Sequence, residues 1–370
     1  FRYDWNKSMN PTTAAIAGEF HMTARGNGNP GPDALFDSGA NLTFIGVQDT
    51  TTSASSIPHG GDVQPTYYKS LANLSAFTAA ATTAPCVGVL VDVIGYYRVT
   101  TVTTTTAQST TNTLGFGDTF TADAGTDVIT MTSTTNHPSN ILTGTRVQLT
   151  TTTTLPAGLA LATDYYVIKV TDSTFKLATS SANAVAGTQI NITDAGTGTH
   201  TMSRLLPRYT NGSGVQAIFF NPAATAMGAA TPNLSLTYTN TAQVAARATP
   251  GVQPIGKTAA SNSLILYTGT GSGKFNYQHP QQAGDAGIAQ IDSIRNTTSY
   301  VSGTYTVALI KELARVPITT LGVAAERDLV NQLPSLPRIY DGAALYWIVG
   351  SSTTTPANAN FSGHLTTVWN

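Results

Sequence analysis

Val87-Gly88-Val89-Leu90-Val91-Asp92-Val93-Ile94 is an almost uninterrupted apolar run, and it decides the fold class. Its β-branched side chains pack well on a pleated surface. A short continuous run of this kind is typical of a strand that is buried on both faces. We therefore predict a strand over Val87–Tyr97. The preceding Cys86, the single cysteine, is expected to be a buried apolar thiol.

Similar short runs recur on both sides of this segment, separated by Gly, Pro, Asn and Asp. Each is rich in branched or aromatic residues, which favours strands. The whole chain is therefore expected to be mainly β. We predict a β-sandwich or jelly-roll-like main domain, a small inserted β domain, and one or two short helices. The further predicted strands of the main domain are Leu42–Val47, Val215–Phe220, Leu234–Tyr238, Leu264–Tyr267, Tyr305–Ile310, Leu345–Val349 and Leu365–Trp369.

Two segments have the apolar spacing of a helix. Ser70–Ala81 places Leu71, Leu74, Phe77 and Ala81 three or four residues apart, as on one helix face. Thr320–Leu333 begins with a residue that can cap a helix and ends before Pro334. Both segments are predicted to be short helices.

Residues 1–40 differ from the rest and are predicted to form an extended N-terminal arm. Ala24–Pro32 is rich in Gly, Asn and Pro and can form little regular structure. The aromatic residues Phe1, Tyr3 and Trp5 precede it. Two alternatives remain open: these side chains anchor an interface with a neighbouring subunit, or the arm folds back on its own domain.

Residues 114–203 have the character of an inserted module of about 90 residues, enough for a small β domain. The main β domain would then combine residues 41–113 with 204–370. The Thr-rich stretch Thr100–Thr113 precedes the insertion, and Leu205–Tyr209 is expected to resume strand-rich sequence. The predicted strands of the insertion are Val128–Met131, Arg146–Leu149, Tyr165–Val170, Thr174–Ala178, Gln189–Ile192 and His200–Met202.

The chain is poor in charge. It has 18 Lys and Arg and 19 Asp and Glu, so 10% of its residues are charged, against about a quarter in an ordinary domain. The net charge of -1 provides no basic field for nucleic acid. A surface of hydroxyls and amides does little to keep copies apart, which favours self-association. The sequence contains no segment with the pattern of a membrane span.

The chemical motifs are weak. Gly269–Phe275 resembles a phosphate-binding loop, but its glycine spacing is one residue short and Phe275 stands where Ser or Thr is needed. The six histidines are scattered without the spacing of a metal site. We therefore expect no catalytic residue, no metal, no cofactor and no bound nucleic acid.

Segment 114–203 resembles a small β module found inside phage structural proteins. The flanking segment Thr319–Pro334 looks like part of a phage structural protein. The resemblance implies a component of a bacteriophage virion, assembled in the host cytoplasm. The motifs that carry it in the module are Asp127–Thr130, Leu155–Gly158, Asp164–Val170, Thr174–Ala178 and Gly196–His200.

Three placements follow from this resemblance. A capsid-associated protein, decorating or forming the shell, fits the neutral surface and the aromatic arm. A tail or receptor-binding protein fits the Thr, Gly and Asn content equally well. A glycan-cleaving virion enzyme would need a carboxylate pair, and carboxylates are scarce here. We expect a non-enzymatic, capsid-associated homo-oligomer, a trimer, that contacts other virion proteins such as the major capsid protein, with no membrane.

Overall fold

The structure is a computed structural model that describes residues 1–9, 18–49, 56–63, 67–79, 85–132, 141–222, 227–228, 230, 232–251, 265, 277–332, 334–351 and 359–369. Strands account for 47% of the chain and helices for 5%. Since an ordinary domain is about one third helix, the prediction of a mainly β fold is confirmed.

The described residues form twenty-two strands, two short helices and two 3-10 turns. The helices are α1 (Ser181–Ala186) and α2 (Leu329–Gln332), and the 3-10 turns are Thr23–Arg25 and Leu35–Asp37. The strands are β1 (Arg2–Ser8), β2 (Phe20–Met22), β3 (Gly28–Asn29), β4 (Phe44–Gly46), β5 (Lys69–Thr78), β6 (Cys86–Val99), β7 (Gln108–Ser109), β8 (Phe116–Asp123), β9 (Val128–Met131), β10 (Arg146–Thr151), β11 (Tyr165–Lys169), β12 (Thr174–Ala178), β13 (His200–Arg204), β14 (Val215–Phe220), β15 (Leu234–Asn240), β16 (Arg247–Ala248), β17 (Ile288–Asn296), β18 (Tyr305–Ile318), β19 (Ala325–Asp328), β20 (Arg338–Ile339), β21 (Leu345–Ser351) and β22 (Asn360–Trp369).

The central sheet has the strand order β14-β18-β6-β21-β2, with β4 also paired to β6. All its named pairs are antiparallel. Val89, Val91 and Val93 face one apolar cluster, whereas Leu90 and Ile94 face two others. The predicted strand at Val87–Tyr97 is therefore confirmed, and it is covered on both faces. Cys86 is buried at its start, as predicted.

The terminal sheet contains the first and last strands, in the order β19-β5-β22-β1-β3, with β20 also paired to β5. Its inner face packs on the central sheet through Leu74, Leu365 and Trp347, so the two sheets form a β-sandwich. Gly88 is required at this contact, because a Cβ there would lie 1.8 Å from Cζ2 of Trp347.

The small sheet, β16-β15-β17-β7, covers the other end of the same face of the central sheet. Leu236 and Ile291 from the small sheet share an apolar cluster with Phe219 and Val307. One face of the central sheet is thus divided between two covering sheets.

The segment 116–204 forms a closed barrel in the order β10-β11-β12-β9-β8-β13. Its interior is apolar and includes Phe120, Leu149 and Phe175. Phe116 and Arg204 are paired neighbours in β8 and β13, so the barrel begins and ends at one place.

The predicted helix at Ser70–Ala81 is wrong, because Lys69–Thr78 is the strand β5. Its pairing with β22 contains an irregularity: Thr366 opposes Asn73, but the next residue, Thr367, opposes Leu71. Such a bulge shifts the alternation of inward and outward side chains by one residue. Leu71 and Leu74 therefore both face the core at a spacing of three, which imitates a helix. Phe77 faces outward and is partly exposed.

The predicted helix at Thr320–Leu333 is also largely wrong. Ala325–Asp328 is the strand β19, and only the short helix α2 follows it. Backbone pairing of β19 with β5 overrides the helical spacing. Leu321 and Val323 are exposed, whereas Leu329 is fully buried. Leu333 lies outside the described residues.

Three smaller predictions are corrected. Gln189–Ile192 has no strand, although Ile192 is buried. Helix α1 lies before it, capped by Ser180 and ended by Gly187 in the left-handed conformation. Leu205–Tyr209 is irregular rather than strand-like. Of the predicted strand Leu264–Tyr267, only Ile265 is described, and it bridges to Phe220.

Residues 1–40 contain regular structure, contrary to the prediction of an extended arm. They contribute β1 and β3 to the terminal sheet and β2 to the central sheet. The chain therefore folds back onto its own sandwich through all three strands. The Thr-rich stretch before the barrel supplies β7, an edge strand of the small sheet.

Candidate functional site

A cavity of about 450 Å³ lies on the outer face of the terminal sheet. Side chains alternate between the two faces of a strand, so every second residue of β1, β22, β5 and β19 points away from the core. We call this cavity the outer groove and define it by Arg2, Asp4, Ser75, Phe77, Glu326 and His364.

Strand pairing places four of these residues in one row across the sheet. Asp4 opposes His364, His364 opposes Ser75, and Ser75 opposes Glu326. The chain separation between these residues is large, so only the pairing of β1, β22, β5 and β19 brings them together. Carboxylates thus lie at both ends of the row, with an imidazole and a hydroxyl between them.

The imidazole of His364 is held by two contacts at one ring nitrogen. Nδ1 lies 2.7 Å from Oγ of Ser75 and 3.4 Å from Nη2 of Arg2. A guanidinium can only donate, so Nδ1 is the acceptor. The neutral ring then carries its hydrogen on Nε2, which makes His364 a hydrogen-bond donor of the groove.

The remaining polar groups of the groove are a mixture of donors and acceptors. Arg2 and Asp4 form an exposed ion pair at 3.3 Å. Asn73 donates from Nδ2 to Oε1 of Glu326. Phe77 adds a partly exposed aromatic ring at one end. The groove therefore offers one guanidinium, two carboxylates and one apolar surface.

The burial of the central hydroxyl and the spacing of the two carboxylate-bearing strands complete the geometry of the groove. Ser75 is buried, and its Oγ also accepts the backbone N–H of His364 at 3.2 Å. Asp4 and Glu326 stand three strands apart, about 14 Å between backbones.

A second surface feature lies near the chain termini. Five large apolar side chains are exposed there, and Trp369 is 50% and Tyr67 49% exposed. A cavity of about 240 Å³ lies among Tyr68, Val368 and Trp369. We define the terminal patch as Phe1, Tyr67, Tyr68, Val368 and Trp369.

Backbone hydrogen bonds bring the first residue to this patch. The N-terminal amine of Phe1 donates to the carbonyl of Thr367 at 3.0 Å, and the amide of Thr367 donates back at 2.8 Å. Val368 and Trp369 follow directly in β22. The two ends of the described chain are therefore neighbours at this end of the terminal sheet.

The three residues predicted as interface anchors have different positions. Phe1 is 43% exposed and stacks on Tyr3, with ring centroids 6.4 Å apart. Tyr3 is half-buried against the sandwich core. Trp5 is only 2% exposed and packs 4.8 Å from Trp347, so its ring belongs to the core. The structure leaves Phe1 as the residue that can reach a neighbour.

The sequence does contain a signal for the outer groove. Arg2, Asp4 and Asn6 alternate with inward residues, and Ser362, His364 and Thr366 do the same in β22. Period-two polar residues on two strands indicate a polar sheet face. Their pairing, however, follows only from the tertiary structure.

The scattered histidines form no metal site in the described part of the chain. No group of three or more His, Cys, Asp or Glu residues there has a geometry that could hold a metal ion. His279, for example, is buried beside Phe219 and Thr249. The loop Gly269–Phe275 and His137 lie outside the described residues.

Within the same described ranges, the helices are all too short or too polar to cross a bilayer. Comparison with models of protein families and with curated proteins finds no match to this chain.

Proposed function

We propose that this chain is a non-enzymatic structural component of a bacteriophage particle, capsid-associated and assembled in the host cytoplasm. It would form a homo-oligomer, a trimer, and contact other virion proteins such as the major capsid protein. The resemblance of residues 114–203 to a phage β module and the low charge content support the proposal. The structural observation that carries it is the terminal patch.

The terminal patch fits a second copy of the chain as its occupant. Large exposed apolar side chains are typical of interfaces rather than of free surfaces. With 10% charged residues, two copies repel each other little. Phe1, the exposed member of the predicted anchors, lies within the patch.

A free strand edge lies beside the patch. Within the described residues, β3 pairs only with Asn6 and Lys7 of β1. Arg2–Trp5 therefore have no neighbouring strand on this side among the described residues, and they form an open edge of the terminal sheet. An open edge offers backbone donors and acceptors to another chain. This edge supports assembly through the end of the sandwich at which both chain termini lie.

The first test measures mass in solution. The full chain should sediment at three times its 38.5 kDa mass, and Trp369→Ser with Tyr67→Ser should shift it towards the monomer. Large apolar anchors cost about 2 kcal/mol or more when truncated, roughly thirtyfold in affinity each. The matched control is Val185→Ser, an exposed apolar residue on α1 in the barrel. A full chain that stays monomeric at high concentration contradicts self-assembly.

The second test places the chain in a particle. Mass spectrometry of purified phage particles should detect it, and image reconstruction should show it in the icosahedral lattice. Density on the tail axis would instead support the alternative of a tail or receptor-binding protein, which the open outer groove favours. Absence from purified particles would contradict the virion proposal altogether.

A further inference from the structure

We propose that the outer groove binds a neutral oligosaccharide. The inference rests on the groove alone and does not depend on a role in a virion. At about 450 Å³, the cavity lies in the size range of small-molecule sites, roughly 300–1,000 Å³.

The charges of the groove exclude strongly charged ligands as good occupants. Asp4 and Glu326 stand at opposite ends of the polar row, so an anion would meet a carboxylate at either end. Arg2 pairs with Asp4 and lies beside His364, so a cation bound at this end of the row would meet a guanidinium. A ligand without net charge avoids both repulsions.

The hydrogen-bonding groups of the groove match hydroxyls. A hydroxyl both donates and accepts, and the groove alternates acceptor and donor along its row. The carboxylate of Asp4 accepts, and the Nε2–H of His364 donates. The carboxylate of Glu326 accepts at the far end. A chain of sugar rings presents hydroxyls to each of these groups in turn.

Phe77 supplies the apolar part of the site. The bulge in β5 turns this ring outward. Without the bulge, Phe77 would face the packed interior of the sandwich. A sugar ring has an apolar face of C–H groups that can pack on an aromatic ring. The groove therefore combines a ring platform with directed polar groups, the pattern of small-molecule sites.

The backbones of Asp4 and Glu326 lie farther apart than the roughly 5–9.5 Å between the carboxyl groups of glycosidases, which favours binding without cleavage. Asp4 and Glu326 are separated by three strand intervals, about 14 Å in all. Bound oligosaccharide should therefore be recovered intact.

The test uses the full chain on an array of neutral hexose and N-acetylhexosamine oligosaccharides, followed by calorimetric titration with the best-bound member. Phe77→Ala should weaken that binding by about fivefold to tenfold, and Asp4→Asn should also weaken it. Asp62→Asn, the same charge change at an exposed residue outside the groove, and Val185→Ala should bind as the unaltered chain does. Asp4 is 75% exposed, so this variant should fold even if Phe77→Ala does not.

Three results would overturn the proposal. One is the failure of every neutral oligosaccharide on the array to bind. Another is binding that both groove variants retain in full. The third is preferential binding of a sulfated heparin tetrasaccharide that is lost at about 1 M salt, where the Debye length is roughly 3 Å. Intact recovery of the bound sugar supports the absence of cleavage.

Discussion

Arg208 and Asp92 form a fully buried ion pair at the boundary between the two sheets that cover the central sheet. Nε of Arg208 lies 2.9 Å from Oδ2 of Asp92, and Nη2 lies 2.6 Å from Oδ1. Along the same face of β6, Leu90 packs under the terminal sheet and Ile94 under the small sheet. The ion pair lies between these two apolar clusters.

The guanidinium of Arg208 uses all five of its N–H groups. Besides the two bonds to Asp92, it donates to the carbonyls of Val47, Gly342 and Val93, each at 2.8 Å. Asp92 also accepts the amide of Ala344 at 3.0 Å. Because a buried charge is tolerated only when its partners are all supplied, this network joins β6 to the segments before β21 and after β4.

We predict that Arg208→Met destabilises the fold by about 3–5 kcal/mol, because it leaves the Asp92 carboxylate buried without a partner. Urea unfolding at neutral pH measures the change. Arg2→Met is the matched control, since its exposed pair with Asp4 should contribute less than about 1 kcal/mol. Adding Asp92→Asn to Arg208→Met should recover part of the loss. Equal stability of Arg208→Met and the unaltered chain would show that the network is dispensable.

We predict that stability falls below neutral pH through His279. Burial lowers the pKa of His279 from 6.5 to about 3. Between these values the unfolded chain binds a proton that the folded chain does not, so the free energy of unfolding decreases as the pH falls from 6.5 to 3. From pH 7 to pH 5 the loss due to this group should be about 2 kcal/mol.

The measurement for His279 is urea unfolding at pH 7 and pH 5. His279→Gln, which keeps a polar group near Thr249, should flatten this part of the pH dependence. Val185→Gln, at an exposed residue of the barrel helix α1 that carries no titratable group, should not. A pH dependence that is identical in all three proteins would rule out His279 as its source.

We predict that the Cys86 thiol is unreactive in the folded chain. Burial raises the pKa of this thiol to about 12, and the thiolate is the reactive form. A thiol reagent at pH 8 should label it about a hundredfold or more faster in urea than in the native protein. Val185→Cys, which adds an exposed thiol on α1, should label rapidly without urea. Fast native labelling of the unaltered chain would mean that β6 opens readily at this end.

We predict that the barrel can be removed without unfolding the rest of the chain. The deletion takes out Gly117–Arg204 and joins Phe116 to Leu205 with a short Gly/Ser bridge. Phe116 and Arg204 are paired neighbours, so little loop entropy is involved. The cut also removes both members of the buried Arg204–Asp118 pair, so neither charge is left alone.

Thermal melting and near-UV circular dichroism of the deletion test this prediction. The remainder should melt in one cooperative step. It would lose only the contacts that join it to the barrel, such as the hydrogen bond between Tyr68 and Asp172. Aggregation, or a melt without cooperativity, would show instead that the barrel is needed by the sandwich.

The two wrong helix predictions show what local spacing cannot distinguish. Leu71 and Leu74 point to one side in a helix, but they also do so in a strand with a bulge between them. The sequence of β5 is therefore compatible with either a helix or a bulged strand. Which one forms depends on β22, more than 280 residues later, because backbone pairing to that strand supplies the hydrogen bonds.

The sequence by itself determined the mainly β class, the strand Val87–Tyr97 and the buried Cys86, since each depends on short-range alternation and on apolar content. Tertiary structure alone decided which strands pair, and therefore where the row from Asp4 to Glu326, the open edge of β1 and the Arg208–Asp92 pair lie. These features join residues from distant parts of the chain. Strand pairing depends on backbone groups that every residue shares, so the local side-chain sequence does not specify which strand is the partner. The packing of the whole sandwich specifies it.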